Sequence, residues 1–409
     1  MGLESLLKKY LPLVFSATLS CQTLPHQEVP SLSLRHQQQV PLILDELNQD
    51  IPLLFGISTL ATGFSNISRA SERESNDFSK KEFIIGAHTS YTTLVKGLLW
   101  QGKKENPLLI VEPGYLADSL GHPSHNMMKI LQDSPLKDYN VLFLDHSTSA
   151  QFLCDNGNAS WGGVEEGYLL EQITEQMQVE GYKNITLLGI SMGGTGVMHA
   201  LYRNPTLYIS GLVFSPVTDY TDVPGNSLRE LSEHSNFGKN YFTFQGLINS
   251  IGLKELISGF YETIEKDEAC AKKYQDRTLE DLFWNTKRYE NKELLEKIFE
   301  PYLHDHLVPH LPHSVPEYLT FCDTNRIAEA IKKPLYVLHA HDDAVVLNHH
   351  FYRFMLAGHE NNFISGTILA DGGHWGFSSA YGRNWIGCVI KTYVDFWSKE
   401  EFSIDNHCL

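Results

Sequence analysis

Short apolar runs alternate with helix-like stretches along most of this chain. Leu108 to Val111, Val141 to Leu144, Ile185 to Leu188, Gly211 to Phe214, Leu335 to Leu338 and Thr367 to Leu369 are brief and rich in strand formers. Where such runs are continuously apolar, they predict strands buried on both faces. Glu165 to Glu180 and Met192 to Arg203 carry helical composition and spacing, and Asn204-Pro205 stops the second of them. Trp385 to Trp397 predicts a closing helix, and Phe83 to Trp100 predicts two opening strands joined near Ala87 to Ser90. The sum is an α/β fold: a mostly parallel central sheet with helices on both faces. Such sheets hold their ligands outside the carboxyl ends of the strands.

The apolar pattern also divides the chain. Residues 83–218 and 324–400 carry the strand and helix rhythm and form the expected core. Two neighbouring strands of such a sheet need only ~10–12 residues between them. The stretch 219–323 is far longer than that and predicts a helical cap insertion. Its aromatics, Tyr241, Phe242, Phe244, Phe260, Tyr261, Phe283 and Trp284, either line an apolar pocket or pack the insertion onto the core. Packing is the commoner use of any single one. Asp145 to Gly163, with Trp161, reads as a long strand-end loop on the opposite rim. Residues 22–82 form an N-terminal extension, in which the polar run Ser65 to Lys81 reads as a loop.

The candidate chemistry sits at the ends of these runs. Gly189-Ile190-Ser191-Met192-Gly193 follows one strand directly and opens a helix. A serine between a strand and a helix occupies a tight turn, and small neighbours two residues away let the flanking backbones approach. That turn exposes the hydroxyl and leaves the Met192 N–H beside it as an oxyanion donor. A serine nucleophile needs a base, and the base needs a carboxylate to orient it. His341-Asp342-Asp343 follows one later strand, and Asp371-Gly372-Gly373-His374 follows another. Ser191 and His374 are the expected nucleophile and base, and Asp342, Asp343 and Asp371 all qualify as the carboxylate. The chain order Ser, Asp, His is the one this arrangement demands.

On these motifs the chain from about Phe83 to Trp397 resembles the α/β-hydrolase-fold serine hydrolases, the esterase- and lipase-like superfamily. Gly189-Ile190-Ser191-Met192-Gly193-Gly194 matches its nucleophile elbow and Gly372-Gly373-His374-Trp375-Gly376 its histidine loop. Ala340-His341-Asp342-Asp343-Ala344-Val345-Val346 matches the acid loop, and the position after the small residue selects Asp343. Pro113-Gly114-Tyr115 matches the oxyanion loop, so the resemblance implies the Tyr115 N–H as second donor. The departure is Glu112, where a histidine often precedes this glycine turn. Gly114, Trp161 and Trp375 are expected to meet the substrate. The resemblance implies hydrolysis of a carboxylic ester, lipid and acyl esters included, through an acyl-enzyme, with no metal or organic cofactor. Peptidase, thioesterase or acyltransferase chemistry uses the same three residues, and a non-catalytic binding protein on the same fold is the remaining alternative.

Composition narrows the partners. With 32 Lys and Arg against 49 Asp and Glu, the formal net charge of −17 excludes a nucleic-acid partner held by phosphate contacts. It also argues against docking on anionic lipid by charge alone. The six cysteines are scattered with no C-x-x-C pair, which predicts neither a zinc site nor a disulfide scaffold. His304-Asp305-His306 with His310 and His313 is a dense histidine group, but its prolines and spacing predict solvated residues rather than a metal site. Residues 1–21 read either as a short signal or lipoprotein segment ending at Cys21, or as an amphipathic helix. Export, with a membrane tether through the N-terminus, is slightly favoured over a cytoplasmic location. Oligomeric state is open.

Overall fold

The computed structural model describes residues 78–86, 92–119, 127, 128, 131, 136–221, 257–283, 287–341, 343, 345–369, 372–374 and 383–398. The readings of residues 1–21, of most of the extension and of Tyr241, Phe242, Phe244, Trp284 and Trp375 lie outside them. Eight strands form one sheet: β1 Phe78–Ile85, β2 Thr93–Trp100, β3 Leu108–Glu112, β4 Asn140–Leu144, β5 Ile185–Ile190, β6 Ser210–Phe214, β7 Leu335–Ala340 and β8 Ile364–Leu369. Their order across the sheet is β1-β2-β4-β3-β5-β6-β7-β8. β1 pairs antiparallel with β2, and β2 with β4; every pairing from β4 to β8 is parallel.

The parallel strands β3 to β7 are buried along their whole length, as their sequence requires. Side-chain alternation splits them between two apolar layers. Ile110, Leu142, Leu187, Val213 and Val337 face helices α2 (Val164–Val179) and α3 (Met192–Arg203). Leu109, Phe143, Leu188, Leu212 and Tyr336 face the closing helix, Arg383–Ser398. Helices therefore cover both faces.

Three sequence expectations need correction. β1 starts at Phe78, inside the stretch read as a polar loop, because an edge strand can keep polar side chains in water. Part of the presumed loop after β4 is a helix, Ala150–Asn156 (α1), capped by the Ser149 hydroxyl accepting from the Phe152 N–H and closed by Gly157 at φ 71°. And the cysteines do pair: Cys154 on α1 is bonded to Cys270.

Residues 215–334 separate β6 from β7. Among those described, 257–266 are helical, followed by α4 (Glu268–Tyr274), α5 (Leu279–Phe283), α6 (Lys292–His304) and α7 (Val315–Phe321). This insertion packs against α2 and α3. Arg288 forms a buried ion pair with Glu165, its Nε 2.7 Å from Oε1. Tyr318 donates to the Gly162 carbonyl at 2.9 Å, and His199 Nδ1 lies 2.7 Å from the Tyr302 hydroxyl. Among the described residues no helix is long and apolar enough to cross a membrane.

Candidate active site

Ser191 follows β5 and is the N-cap of α3, with φ 55° and ψ −123°. A serine at a helix N-cap ordinarily spends its oxygen on the first-turn amides. Here the side chain makes no capping bond, so Oγ is left for other chemistry. Backbone bonds hold the strained turn. The Ser191 N–H donates to the Phe214 carbonyl at 2.9 Å, and its own carbonyl accepts from Gly194 and Val217.

The two glycines of the motif have steric reasons. A Cβ at Gly189 would stand 2.6 Å from the Gly194 Cα, and one at Gly193 2.1 Å from the Pro113 carbonyl oxygen. The second contact shows how closely the turn 113–115 lies against the serine. Gly114 is buried there, and a Cβ on it would come within 3.0 Å of the Ser191 Cβ. Among the described residues, the Met192 and Tyr115 N–H groups donate to no other group.

Asp343 follows β7, and His374 follows β8 beyond Gly372 (φ 142°) and Gly373 (φ 53°). The structure brings them together: His374 Nδ1 donates to Asp343 Oδ2 at 2.9 Å, both side chains being buried. The other oxygen, Oδ1, accepts the Val345 and Val346 N–H groups, each at 2.9 Å. Burial by itself would raise the Asp343 pKa. The His374 charge and hydrogen bond, with lesser help from His339 and Ser215, outweigh it and hold the group below the usual carboxylate value. An ionised Asp343 keeps the proton on Nδ1 and leaves Nε2 as the basic nitrogen. His339, behind this pair on β7, is pushed down to about 4 by burial, against the pull of Asp343, and so stays neutral near pH 7.

Ser191, Asp343 and His374 thus follow β5, β7 and β8, all at the carboxyl edge of the parallel strands of one sheet ordered 1-2-4-3-5-6-7-8. The fold is that of the α/β hydrolases.

Comparisons with known proteins found the following likenesses. A family model described as "Putative esterase" matches residues 158–311, a segment that includes the turn at Ser191. No curated protein matches the chain by sequence. Among solved structures, the chain is similar to an esterase of Pyrococcus furiosus, at 14% identity over 79% of this chain and 92% of that one, TM-score 0.47. It is also similar to an acylaminoacyl peptidase of Pyrococcus horikoshii, at 15% identity over 81% of this chain and 44% of that one, TM-score 0.43. A lipase-esterase related protein of Clostridium acetobutylicum gives 14% identity over 77% and 98%, TM-score 0.42.

Other expected residues fall in different places. Trp161 is buried in packing, its indole N–H donating to the Phe283 carbonyl at 3.0 Å and its ring 5.3 Å from that of Phe283. Phe283 in turn lies 5.9 Å from the Tyr115 ring, so the insertion reaches the turn 113–115. In the histidine group, His310 pairs with Glu317 at 2.6 Å and stacks on His313, while His304 turns to Asp305. Among the described residues these histidines do not converge on a common point. What the sequence did not expose is a buried cluster of Glu112, His146 and Glu166 beneath the turn 113–115. Its only signal was the unusual Glu112.

Proposed function

We propose that this α/β hydrolase is a serine hydrolase that cleaves a carboxylic ester, of a small molecule or a lipid, through an acyl-enzyme. The observation that carries the reading is the buried His374–Asp343 pair at 2.9 Å, set at the same sheet edge as a serine whose hydroxyl caps nothing. The family-model match supports ester hydrolysis.

In this mechanism His374 Nε2 takes the Ser191 proton as Oγ attacks the ester carbonyl carbon. The oxyanion is held by the Met192 and Tyr115 N–H groups. The new Oγ–C bond stays as the C–O bond to the alcohol breaks, and His374 returns its proton to the leaving oxygen. Water, deprotonated by His374, then releases the acid and restores Ser191. No step requires a metal or an organic cofactor. The insertion serves as a cap at the site rim, a role supported by Phe283 against Tyr115. The Cys154–Cys270 bond supports export to an oxidising compartment, where such bonds persist.

The test is fluorophosphonate labelling of wild type and Ser191→Ala, followed by p-nitrophenyl esters of graded chain length. Labelling of wild type and its loss in the variant is the expected result. A folded wild type that neither labels nor turns over any ester of the series would sink the proposal.

A further inference from the structure

Glu112, His146 and Glu166 each bring one ligand-type atom within 4.8 Å of the other two, and the residues are only 3%, 0% and 2% exposed. Three distant stretches of chain supply them: Glu112 ends β3, His146 follows β4, and Glu166 lies in the first turn of α2. Glu112 Oε1, His146 Nε2 and Glu166 Oε2 are buried, and among the described residues none of the three has a hydrogen-bond partner. A buried carboxylate oxygen left unpaired is costly. Among the described residues, no lysine or arginine pairs with either glutamate.

The three atoms are arranged as ligands rather than as hydrogen-bonding partners. His146 Nε2 stands 2.9 Å from Glu166 Oε2, yet the two do not bond. At that distance a hydrogen bond fails when the N–H does not point at the oxygen. The two atoms therefore lie side by side. Two ligands each about 2.1 Å from one ion, and about 90° apart around it, stand about 3 Å from each other.

Neighbouring groups hold the set in place. Glu166 Oε1 accepts the Ser147 N–H at 3.0 Å and the Ser147 hydroxyl at 2.7 Å, which leaves Oε2 facing His146. On the other side of the imidazole, Nδ1 lies 2.7 Å from the Thr148 hydroxyl oxygen, which accepts the Leu116 N–H at 2.8 Å. That oxygen has a second lone pair for a proton on Nδ1, the tautomer a metal-bound imidazole needs. The Thr148 N–H, 3.1 Å from Nδ1, favours the opposite tautomer, so uptake of an ion moves the ring proton from Nε2 to Nδ1. The backbone also leaves room: a Cβ at Gly162 would stand 3.1 Å from Glu166 Oε2 and 3.2 Å from His146 Cε1.

We propose that Glu112, His146 and Glu166 form a binding site for one divalent transition-metal ion, zinc or manganese, beneath the turn 113–115. Two carboxylates and a neutral imidazole carry a double negative charge, which a divalent ion cancels. An imidazole nitrogen suits neither Ca2+ nor Mg2+, which take oxygen ligands, and a set without thiolate does not suit Cu+. Water completes the shell. The ion is structural: it joins the end of β3 to the segment after β4 and to α2. The inference does not rest on the ester-hydrolase reading, and its test reads metal rather than turnover.

The experiment is zinc and manganese binding by the full chain, first stripped with a chelator, followed by metal content per chain, competition with a fluorescent chelator, and Tm. Wild type is expected to take up one ion per chain and to gain Tm with it, and Ca2+ is expected to do neither. Loss of an outer hydrogen-bond partner weakens metal binding by about 10–100-fold. Thr148→Val is expected to fall in that range and Thr148→Ser to stay near wild type. Glu112→Gln and His146→Gln remove a ligand and are expected to lose more than about 100-fold, with no gain in Tm. The paired His310→Ala and His313→Ala variant is expected to bind as wild type does. A wild type that binds neither ion more tightly than Glu112→Gln does overturns the site, leaving a proton shared by the two carboxyls. Binding lost with His310 and His313 instead also overturns it. Should the ligand variants fail to fold, anomalous diffraction from zinc-soaked wild-type crystals decides: a peak bounded by Glu112 Oε1, His146 Nε2 and Glu166 Oε2 is the expected result, and no peak there overturns the proposal.

Discussion

At the scale of single residues, Ser191 carries backbone strain at the proposed nucleophile. A non-glycine residue held at φ 55° costs about 1–3 kcal/mol, which glycine would not incur. Its side chain makes no capping bond that a substitution could lose. Ser191→Gly is therefore expected to be more stable than Ser191→Ala by about 1 kcal/mol in denaturant unfolding, and just as inactive. A glycine variant less stable than the alanine one would mean that the turn is not strained.

Asp145 bears on stability through pH. Its carboxyl is raised from 3.8 to about 7, first by burial, with Asp118 and Asp155 adding to it and the Ser119 hydrogen bonds opposing. Folding therefore binds a proton across that window, and the native state loses stability as pH rises through it. Asn at this position keeps the oxygen that accepts the Ser119 N–H and removes the titration. The Tm of Asp145→Asn relative to wild type should climb between pH 4 and pH 7 and level off above. A difference that stays flat would place the proton elsewhere.

At the scale of elements, the insertion is fastened to the core by contacts of different kinds. The Arg288–Glu165 pair is fully buried, Tyr318 ties α7 to the start of α2, and the Cys154–Cys270 bond joins α4 to α1. The bond closes a span of 116 residues, and cross-links over loops of that size contribute about 2–5 kcal/mol. Replacing both cysteines with serine should lower stability by that amount and make residues 257–283 cleavable in limited proteolysis before the sheet core. Wild-type protease resistance in the double variant would show that packing alone holds the insertion. Fastened in this way, the insertion holds Phe283 against the Tyr115 ring.

At the scale of the whole molecule, the acidic balance acts on the approach of substrate. A net charge of −17 repels anions over about 30 Å at 10 mM salt and over about 8 Å at 150 mM. kcat/KM for an ester bearing a carboxylate should accordingly rise with ionic strength, while that for a neutral ester stays level. Equal salt responses would show that the charge is remote from the entrance. The fold itself was readable at this scale because β3 to β7 are buried on both faces and so appear as continuous apolar runs. Ser191, Asp343 and His374 were singled out because each lies in a short segment that follows a predicted strand, and the structure sets His374 Nδ1 2.9 Å from Asp343 Oδ2. Features lacking that signature were missed or cut short. β1 was expected only from Phe83 because its first residues are polar on an edge, and α1 is a seven-residue helix in a polar stretch. Glu166 reads as the solvated face of a helix until the fold brings it to Glu112. Cysteine spacing alone carries no pairing information, and Cys154 meets Cys270 only through the tertiary packing of the insertion.

That pairing has a consequence for how the protein is made. The cysteines of this sequence leave the ribosome in the order 21, 154, 270, 322, 388, 408, so among them Cys21 precedes Cys154. Joining thiols as they appear would close a ring between those two, whereas the native bond unites the second with the third. At a synthesis rate of about 5–20 residues per second, the 116-residue separation keeps Cys154 waiting for roughly six to twenty-three seconds. An oxidant acting during that interval traps the wrong ring, and thiol exchange after Cys270 has emerged releases it.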